Sequence, residues 1–279
     1  MRNGQGALAH FFNARKNVIP GRTGGVSEKM LARHLIQDEF EVVMNPRRIS
    51  LFLTKIVALV VVGHIVANLI EPLFAPGSIA YAGIYNFFNM GAESNFPTFV
   101  STLNLLFAGL LCAFIAQSRT IRRGRQRYYW WGMALGLMLM GFDEAAMIHE
   151  GLVGQILESF TGQGEGIFYY VWYTLYIPIV LVVGGLYVPF LRRLPLQYSL
   201  LFVLSGIVYF GGALGMEMLE SYLAYNGYAI GVNIIFEETF EMMGIVILIY
   251  ALLLYLANLG CTAKLRFTLA SGDSALPED

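Results

Sequence analysis

The sequence predicts an all-α integral membrane protein, a bundle of six transmembrane helices with both termini in the cytoplasm. The chain of 279 residues is 57% hydrophobic and only 13% charged, whereas a soluble domain has about 25% charged residues. Its apolar residues collect in six stretches of about 20 residues, the length that a helix needs to cross ~30 Å of hydrocarbon. Its lysines and arginines are sorted to one side of these stretches, which predicts the position of the termini.

The first 46 residues are predicted to form a cytoplasmic tail. Residues 1–25 are polar and glycine-rich, and they lack the apolar core and cleavage site of a signal peptide. Residues 27–44 mix apolar with charged side chains, which predicts a short amphipathic helix on the membrane surface. Residues 47–259 form the predicted transmembrane domain, and residues 260–279 form a cytoplasmic C-terminal tail.

The six predicted spans are separated by short connections. They cover residues 49–70, 96–116, 128–148, 167–191, 198–218 and 234–256. The fourth begins with the aromatic run 169–173, which is typical of the boundary between lipid and water, and Trp130 and Trp131 predict a similar belt at the opposite face. The chain has no internal repeat, so the pattern does not indicate an inverted-repeat transporter.

All 18 lysine and arginine residues fall on the same side of this arrangement. Arg47 and Arg48 precede span one, arginines crowd the connection 117–127, and Arg192 and Arg193 follow span four. The positive-inside rule makes this side cytoplasmic. The connections 71–95, 150–166 and 219–233 contain no lysine or arginine, so they are predicted to face outward.

Ionisable side chains gather at the outer ends of the later spans. Residues 141–151 contribute Asp143, Glu144, His149 and Glu150 to the end of span three. Spans five and six add Glu217, Glu220, Glu237, Glu238 and Glu241. Ionisable groups in a bilayer are costly and indicate a functional site by default. Because the basic residues lie at the other side, these acids must be protonated, solvated or neutralised by a bound cation.

Helical geometry limits which of these groups can meet. Asp143 and His64, in span one, lie at about the same depth, roughly 22 Å from the cytoplasmic edge. Asp143 and Glu150 share one stripe of a regular helix, but Glu144 and His149 point roughly 100° and 120° away from it. We therefore expect one of two arrangements. Either the helix unwinds near Ile148, or one or two of these groups contact the metal ligands rather than the metal itself.

The inventory of carboxylates with imidazole predicts a metal site. Such ligands on facing helices form di-iron and di-manganese centres, although the repeated Glu-x-x-His pattern of those centres is missing. The predicted cofactor is a divalent metal, with iron or manganese favoured and zinc or calcium as alternatives. The predicted ligands are Asp143, His149, Glu150, Glu238 and Glu241. The residues predicted to complete or orient this set are Glu144, Glu217, Glu237 and His64.

The sequence predicts a membrane protein with an outward-facing metal centre. One predicted activity is that of an oxidoreductase acting on a lipid or quinone-like molecule. The alternatives are a proton or divalent-cation transporter and a non-catalytic subunit that binds a membrane-protein partner. A metal-free relay and a structural network satisfied by water remain open for the acids.

The loop residues Glu71, Glu93, Glu158 and Glu165 are predicted to be solvated. Basic residues are confined to inner loops and tails, so nucleic acid is excluded as a partner.

The acidic motifs together resemble a group of uncharacterised bacterial polytopic membrane proteins. The motifs are Asp143-Glu144-x4-His149-Glu150, Gly215-x-Glu217 and Glu237-Glu238-x-x-Glu241-Met242-x-Gly244. The similarity covers the region from span three to span six. The resemblance implies a location in the bacterial inner (plasma) membrane and implies that these acids form one site. It implies no particular activity.

Overall fold

The computed structural model describes residues 39–42, 44–73, 78–79, 81–260 and 263–266. The predicted tail 1–25, residues 27–38 of the predicted amphipathic helix and residues 267–279 of the C-terminal tail lie outside the described residues. The chain divides into two compact units. One is Val42–Ala263, and the other combines Met1–Glu41 with Lys264–Asp279.

Two short strands lie outside the helical part of the sequence. Strand β1 (Glu39–Val42) pairs with strand β2 (Ala263–Arg266) in a two-stranded sheet. The amphipathic helix predicted for residues 27–44 is therefore wrong at its described end. Residues 39–42 alternate acidic with apolar side chains, which is the two-residue period of a strand, and this local pattern overrides the longer helical one.

Helices account for the rest of the fold and cover the six predicted spans. They are α1 (Pro46–Ile70), α2 (Phe96–Gln117), α3 (Gln126–Ala146), α4 (Gln155–Thr161), α5 (Tyr173–Leu191), α6 (Leu196–Phe210), α7 (Glu217–Tyr225) and α8 (Gly231–Asn258). Shorter helical segments lie between them: 3-10 turns at Glu71–Leu73 and Gly166–Phe168, a π-helical turn at Tyr81–Tyr85 and an α-helical turn at Asn86–Phe88. Within the described residues, five helical stretches are long and apolar enough to cross a membrane, and a bent pair makes up to six. The predicted helical class is confirmed, with five to six helices long and apolar enough to span a membrane in the part of the chain that the structure describes.

Asparagine and proline set the starts of the first two spans. The Asn45 side chain accepts a hydrogen bond from the Arg48 N–H at 3.1 Å, and Pro46 begins α1. The Asn95 side chain likewise accepts from the Thr98 N–H at 3.3 Å at the start of α2. An asparagine cap followed by proline is a strong start signal for a helix. The predicted start of span four at residue 167 is wrong, because residues 166–172 form a turn and α5 begins at Tyr173.

Two π-helical segments interrupt the helices at the level of the acids. Segment π1 (Ile148–Gly154) follows α3, and segment π2 (Gly211–Met216) joins α6 to α7. Met147 separates α3 from π1 with a left-handed backbone, φ 50°, and the chain axis bends there by 71°. Of the two alternatives expected for this segment, the structure shows the break in the helix next to Ile148. Segments of this kind are rare and occur frequently at functional sites.

Helix α8 is the central element of the bundle. It contacts α1, α2, α6 and π2, and α2 packs along α3. Trp130 is fully buried in the core at the arginine-rich end, where its ring lies 5.1 Å from Phe190 and 5.1 Å from Tyr255. The prediction that Trp130 lies in an interfacial belt is therefore wrong. Its neighbour Trp131 points outward and is 44% exposed.

Candidate functional site

His149 lies between two carboxylates at the start of π1. Its Nδ1 is 2.7 Å from Asp143 Oδ2, and its Nε2 is 3.7 Å from Glu150 Oε1. The Tyr176 hydroxyl donates to the other oxygen of Asp143 at 3.3 Å. A regular helix would point Asp143 and His149 in different directions, so the break at Met147 creates this group.

The two distances around His149 correspond to different interactions. The 2.7 Å contact with Asp143 is a short hydrogen bond, whereas the 3.7 Å gap to Glu150 is too long for one. Two ligands that each lie about 2.1 Å from a common ion can be separated by up to about 4.2 Å. A carboxylate on one ring nitrogen and a metal on the other is also the usual way in which proteins orient a histidine ligand. The group can therefore hold a metal ion between Nε2 and Glu150.

Aromatic side chains from the start of α5 cover His149. The Trp172 ring lies 4.6 Å from the imidazole ring, and the Tyr176 ring lies 6.2 Å from it. Trp172 is only 7% exposed, and its indole N–H donates to Glu217 Oε1 at 3.2 Å. The belt prediction is wrong for Trp172, which instead connects the π1 group to the acid that follows π2.

Glu217 and Glu237 form a second acidic group where π2 meets α8. Glu217 is 4% exposed, and its side chain interacts with that of Glu237. Two buried carboxylates that interact in this way repel each other when both are ionised. A Cβ atom at Gly212 would lie 2.7 Å from the Glu237 carbonyl oxygen, so only glycine permits this approach of π2 to α8.

A third group lies deeper, between α2, α3, α6 and α8. A narrow crevice there is lined by Ser101, Asn104, Glu144, Tyr209 and Glu241, and it is too small to hold a water molecule. Ser101 Oγ and Asn104 Nδ2 are buried, and neither has a hydrogen-bond partner among the described residues. Glu144 and Glu241 thus lie in a dry, polar setting.

Electrostatic interactions connect the three groups. Glu241 interacts with Glu144, His149, Glu217 and Glu150. Glu238 interacts with Glu241, Glu144 and Glu150. Charge interactions therefore link predicted acids of spans three, five and six, but the described residues do not gather them into one compact group. His64 has a different environment from these acids. It is buried, and its Nδ1 accepts a hydrogen bond from the Met90 N–H at 3.0 Å.

Two loop residues that the sequence did not indicate also join this region. Glu93 accepts a hydrogen bond from the Thr98 hydroxyl at 3.1 Å and interacts with Glu150, His149 and Asp143. Burial and then the negative charge of Glu150 raise the pKa of Glu93, so the prediction that it is a solvated loop charge is wrong. Burial and then the charge of Glu220 raise the pKa of Tyr170, whose hydroxyl lies 3.5 Å from Glu220.

The acids do not form a complete coordination shell. Among the residues that the structure describes, no group of three or more histidine, cysteine, aspartate and glutamate side chains is placed to hold one ion. The preformed part of a metal site is therefore at most a pair, and His149 with Glu150 is the pair at a suitable separation. A metal bound by this pair would need a third ligand that turns in from a neighbouring position.

Comparison with known proteins gives one match. The model of a family described as Domain of unknown function (DUF8692) matches residues 52–256. The matched segment includes all of α2 to α7 and every acid of the candidate site. No curated protein and no solved structure matches the chain.

Proposed function

The chain belongs to the DUF8692 family, whose description states no function, and we propose that it is a multi-pass membrane protein with a divalent metal centre at π1. The observation that supports this proposal is the position of His149 between Asp143 at 2.7 Å and Glu150 at 3.7 Å. One ring nitrogen is already oriented by a carboxylate, and the other faces a second carboxylate at a separation suited to a shared ion.

The proposal gives the residues of the sequence-predicted set different roles. His149 and Glu150 bind the ion directly, and Asp143 orients the imidazole ring. Glu144 and Glu241 are the proposed sources of the further ligand that must turn in, because the charges of both interact with His149 and Glu150. A bound cation would also offset the repulsion among these carboxylates.

Iron or manganese fits this donor set best, because both accept hard oxygen ligands together with imidazole. Either metal would give the protein redox chemistry. The site also borders the lipid-facing surface, where Phe142 and Leu152 are 63% and 57% exposed. We therefore propose an oxidoreductase that acts on a lipid or quinone-like molecule reaching the centre from the bilayer.

Elemental analysis with EPR spectroscopy of the detergent-purified protein tests the proposal. The wild-type protein should contain bound iron or manganese, and His149→Gln should lose it. Asp143→Asn should weaken metal binding by roughly 10- to 100-fold, because it removes only the orienting group. Glu165→Gln, at an exposed loop position, is the control and should bind metal as the wild type does. Wild-type metal content in His149→Gln would overturn the proposal.

The interaction between the carboxyl groups of Glu217 and Glu237 favours a second candidate, a proton relay that works without metal. One proton shared between two carboxyl groups is a natural resting point for proton transfer. This candidate predicts an infrared absorption of a protonated carboxyl group in the metal-free protein, and its loss in Glu237→Gln. It also predicts proton flux through proteoliposomes that Glu237→Gln abolishes, and flux that is unchanged in this variant would count against it.

We also propose that the site opens to the outside, since the lysines and arginines predict which face is cytoplasmic. Reporter fusions at Gly124 and Leu194 should report a cytoplasmic position. Fusions at Gly162 and Asn226 should report an external one. An external signal at Gly124 would reverse the orientation and place the acidic layer at the cytoplasmic face.

A further inference from the structure

The connection between α2 and α3 is a concentrated basic region at the end of the bundle opposite the acids. Its arginines are Arg119, Arg122, Arg123, Arg125 and Arg127. The only ion pairs among the described residues involve His149, so none of these arginines is paired with an acid there. Within the part of the chain that the structure describes, no acid neutralises their positive charge.

A cavity of about 390 Å³ lies beside this connection. It is lined by Ala116, Gln117, Arg122, Arg127, Tyr128 and Trp131. Two guanidinium groups, an amide, a phenol and an indole thus surround one space. Arginine and amide groups donate hydrogen bonds to phosphate oxygens, and tryptophan and tyrosine favour the level of lipid headgroups.

Arg127 is held in position before any ligand arrives. Its Nη2 donates to the Tyr128 hydroxyl at 2.7 Å, and its guanidinium carbon lies 4.6 Å from the centre of the Tyr128 ring. Its Nη1 donates to the Arg122 carbonyl at 3.4 Å. A guanidinium has five N–H donors, so several stay free for an anion. A group that is already ordered loses less entropy when it binds.

The surface that leads to this cavity is apolar. Leu110 and Phe114 on α2 are 48% and 61% exposed, and helical spacing puts them on the same stripe as Gln117. Leu135 and Leu139 on α3 are 60% and 57% exposed and continue the stripe of Trp131. Both stripes end at the basic cavity, and α2 and α3 are packed side by side.

From this arrangement we propose that the cavity binds the headgroup phosphate of an acidic phospholipid, with the acyl chains along the α2 and α3 stripes. The charge of Arg122 and Arg127 selects an anion. The adjoining exposed leucines and phenylalanine select a membrane lipid over a free phosphate. This site is separate from the metal centre, so either proposal can fail without the other.

Lipid-dependent melting of the delipidated full-length protein in detergent tests this site. Phosphatidylglycerol should raise the melting temperature of the wild type, and phosphatidylcholine with the same acyl chains should raise it much less. Glycerol phosphate, which lacks acyl chains, should have little effect. Arg122→Gln with Arg127→Gln should weaken the response to phosphatidylglycerol roughly tenfold or more in lipid concentration.

A matched control separates this site from general surface charge. Arg192→Gln with Arg193→Gln removes two exposed arginines from the connection after α5 and should leave the response unchanged. Equal losses in the two double variants would overturn the proposal, as would equal effects of the two phospholipids.

A second measurement keeps all arginines in place. Phosphatidylglycerol brominated near the headgroup should quench Trp131 fluorescence more strongly than brominated phosphatidylcholine, with Trp131→Phe used to subtract the other tryptophans. Equal quenching by the two lipids would contradict the site even if the arginine variants failed to fold.

Discussion

The two halves of α8 differ in what they bury. The first half carries Glu237, Glu238 and Glu241, which meet π2, α3 and π1 in a layer of interacting carboxyl groups. In the second half Ile249 and Leu252 are fully buried, and Tyr255 packs against Trp130. The same helix therefore serves an apolar core at one end and a polar site at the other.

This difference indicates where stability comes from at each end. The apolar end is complete by itself, since its side chains fill the space between helices and need no further partner. The acidic end brings carboxyl groups together without a lysine or arginine among its described contacts, so its stability depends on what neutralises them. Substitutions at the two ends should therefore have different consequences for stability and for metal binding.

The largest loss of stability should come from the apolar end. Trp130→Ala removes a fully buried ring that contacts Phe190, Phe202 and Tyr255, and it should cost about 3–5 kcal/mol of unfolding free energy. The folded fraction should still bind metal. Thermal unfolding in detergent measures the effect, and Trp131→Ala, at a half-exposed neighbour, should cost much less. Equal losses in both variants would contradict the assignment of the core.

A smaller loss of stability, together with loss of metal, is expected at the contact between π2 and α8. In Gly212→Ala the new methyl group would lie 2.7 Å from the Glu237 carbonyl oxygen, so the backbones must separate at a cost of roughly 1–3 kcal/mol. Gly211→Ala is the matched control, because a Cβ atom there meets nothing within 4 Å. Melting and elemental analysis should show lower stability and lower metal content in Gly212→Ala alone. Unchanged metal content in this variant would contradict a role of π2 in the metal site.

The smallest expected effect is a pH dependence of stability at Glu93. Burial and then the charge of Glu150 raise the pKa of Glu93 above its ordinary value of 4.5, so the folded protein holds this proton more tightly than the unfolded chain does. The contribution of Glu93 is therefore greatest at acid pH and is lost as the pH rises above 4.5.

In the chelator-treated protein, Glu93→Gln should flatten this decline and be more stable than the wild type at neutral pH. Urea unfolding at several pH values would measure it. Glu158→Gln, at an exposed position, should keep the wild-type profile. A Glu93→Gln variant that is less stable than the wild type at neutral pH would contradict the assigned cause.

The starts of the first two spans could be predicted because their signals are local. Apolar length, Asn45 with Pro46, and Asn95 before Pro97 define where α1 and α2 begin, and the structure agrees with the sequence within a few residues. Trp130 shows the limit of such signals. A tryptophan near the end of a span is typical of an interface, and only the packing of Phe190 and Tyr255 around it makes it part of the core.

The acids of the site could also be predicted, but not their grouping. Helical angles indicated that Asp143 and His149 require a break, yet no proline or paired glycine marks Met147 as the residue that adopts the left-handed backbone. Glu93 and Trp172 reach the site only because loops fold over it. The sequence around each residue therefore does not indicate that it belongs to the site. His64 lies at the right depth for the site, but a tertiary hydrogen bond from the Met90 N–H gives it a structural role.

Melting with and without an external chelator tests the metal centre most directly, because a ligand that binds only the folded state raises its stability. Chelator should lower the melting temperature of the wild type and of the exposed-loop control Glu165→Gln. Glu150→Gln should melt lower than the wild type before treatment and should respond little to chelator. An unchanged wild-type melting temperature in chelator, or a Glu150→Gln variant that melts higher than the wild type, would contradict the metal centre and favour the proton relay.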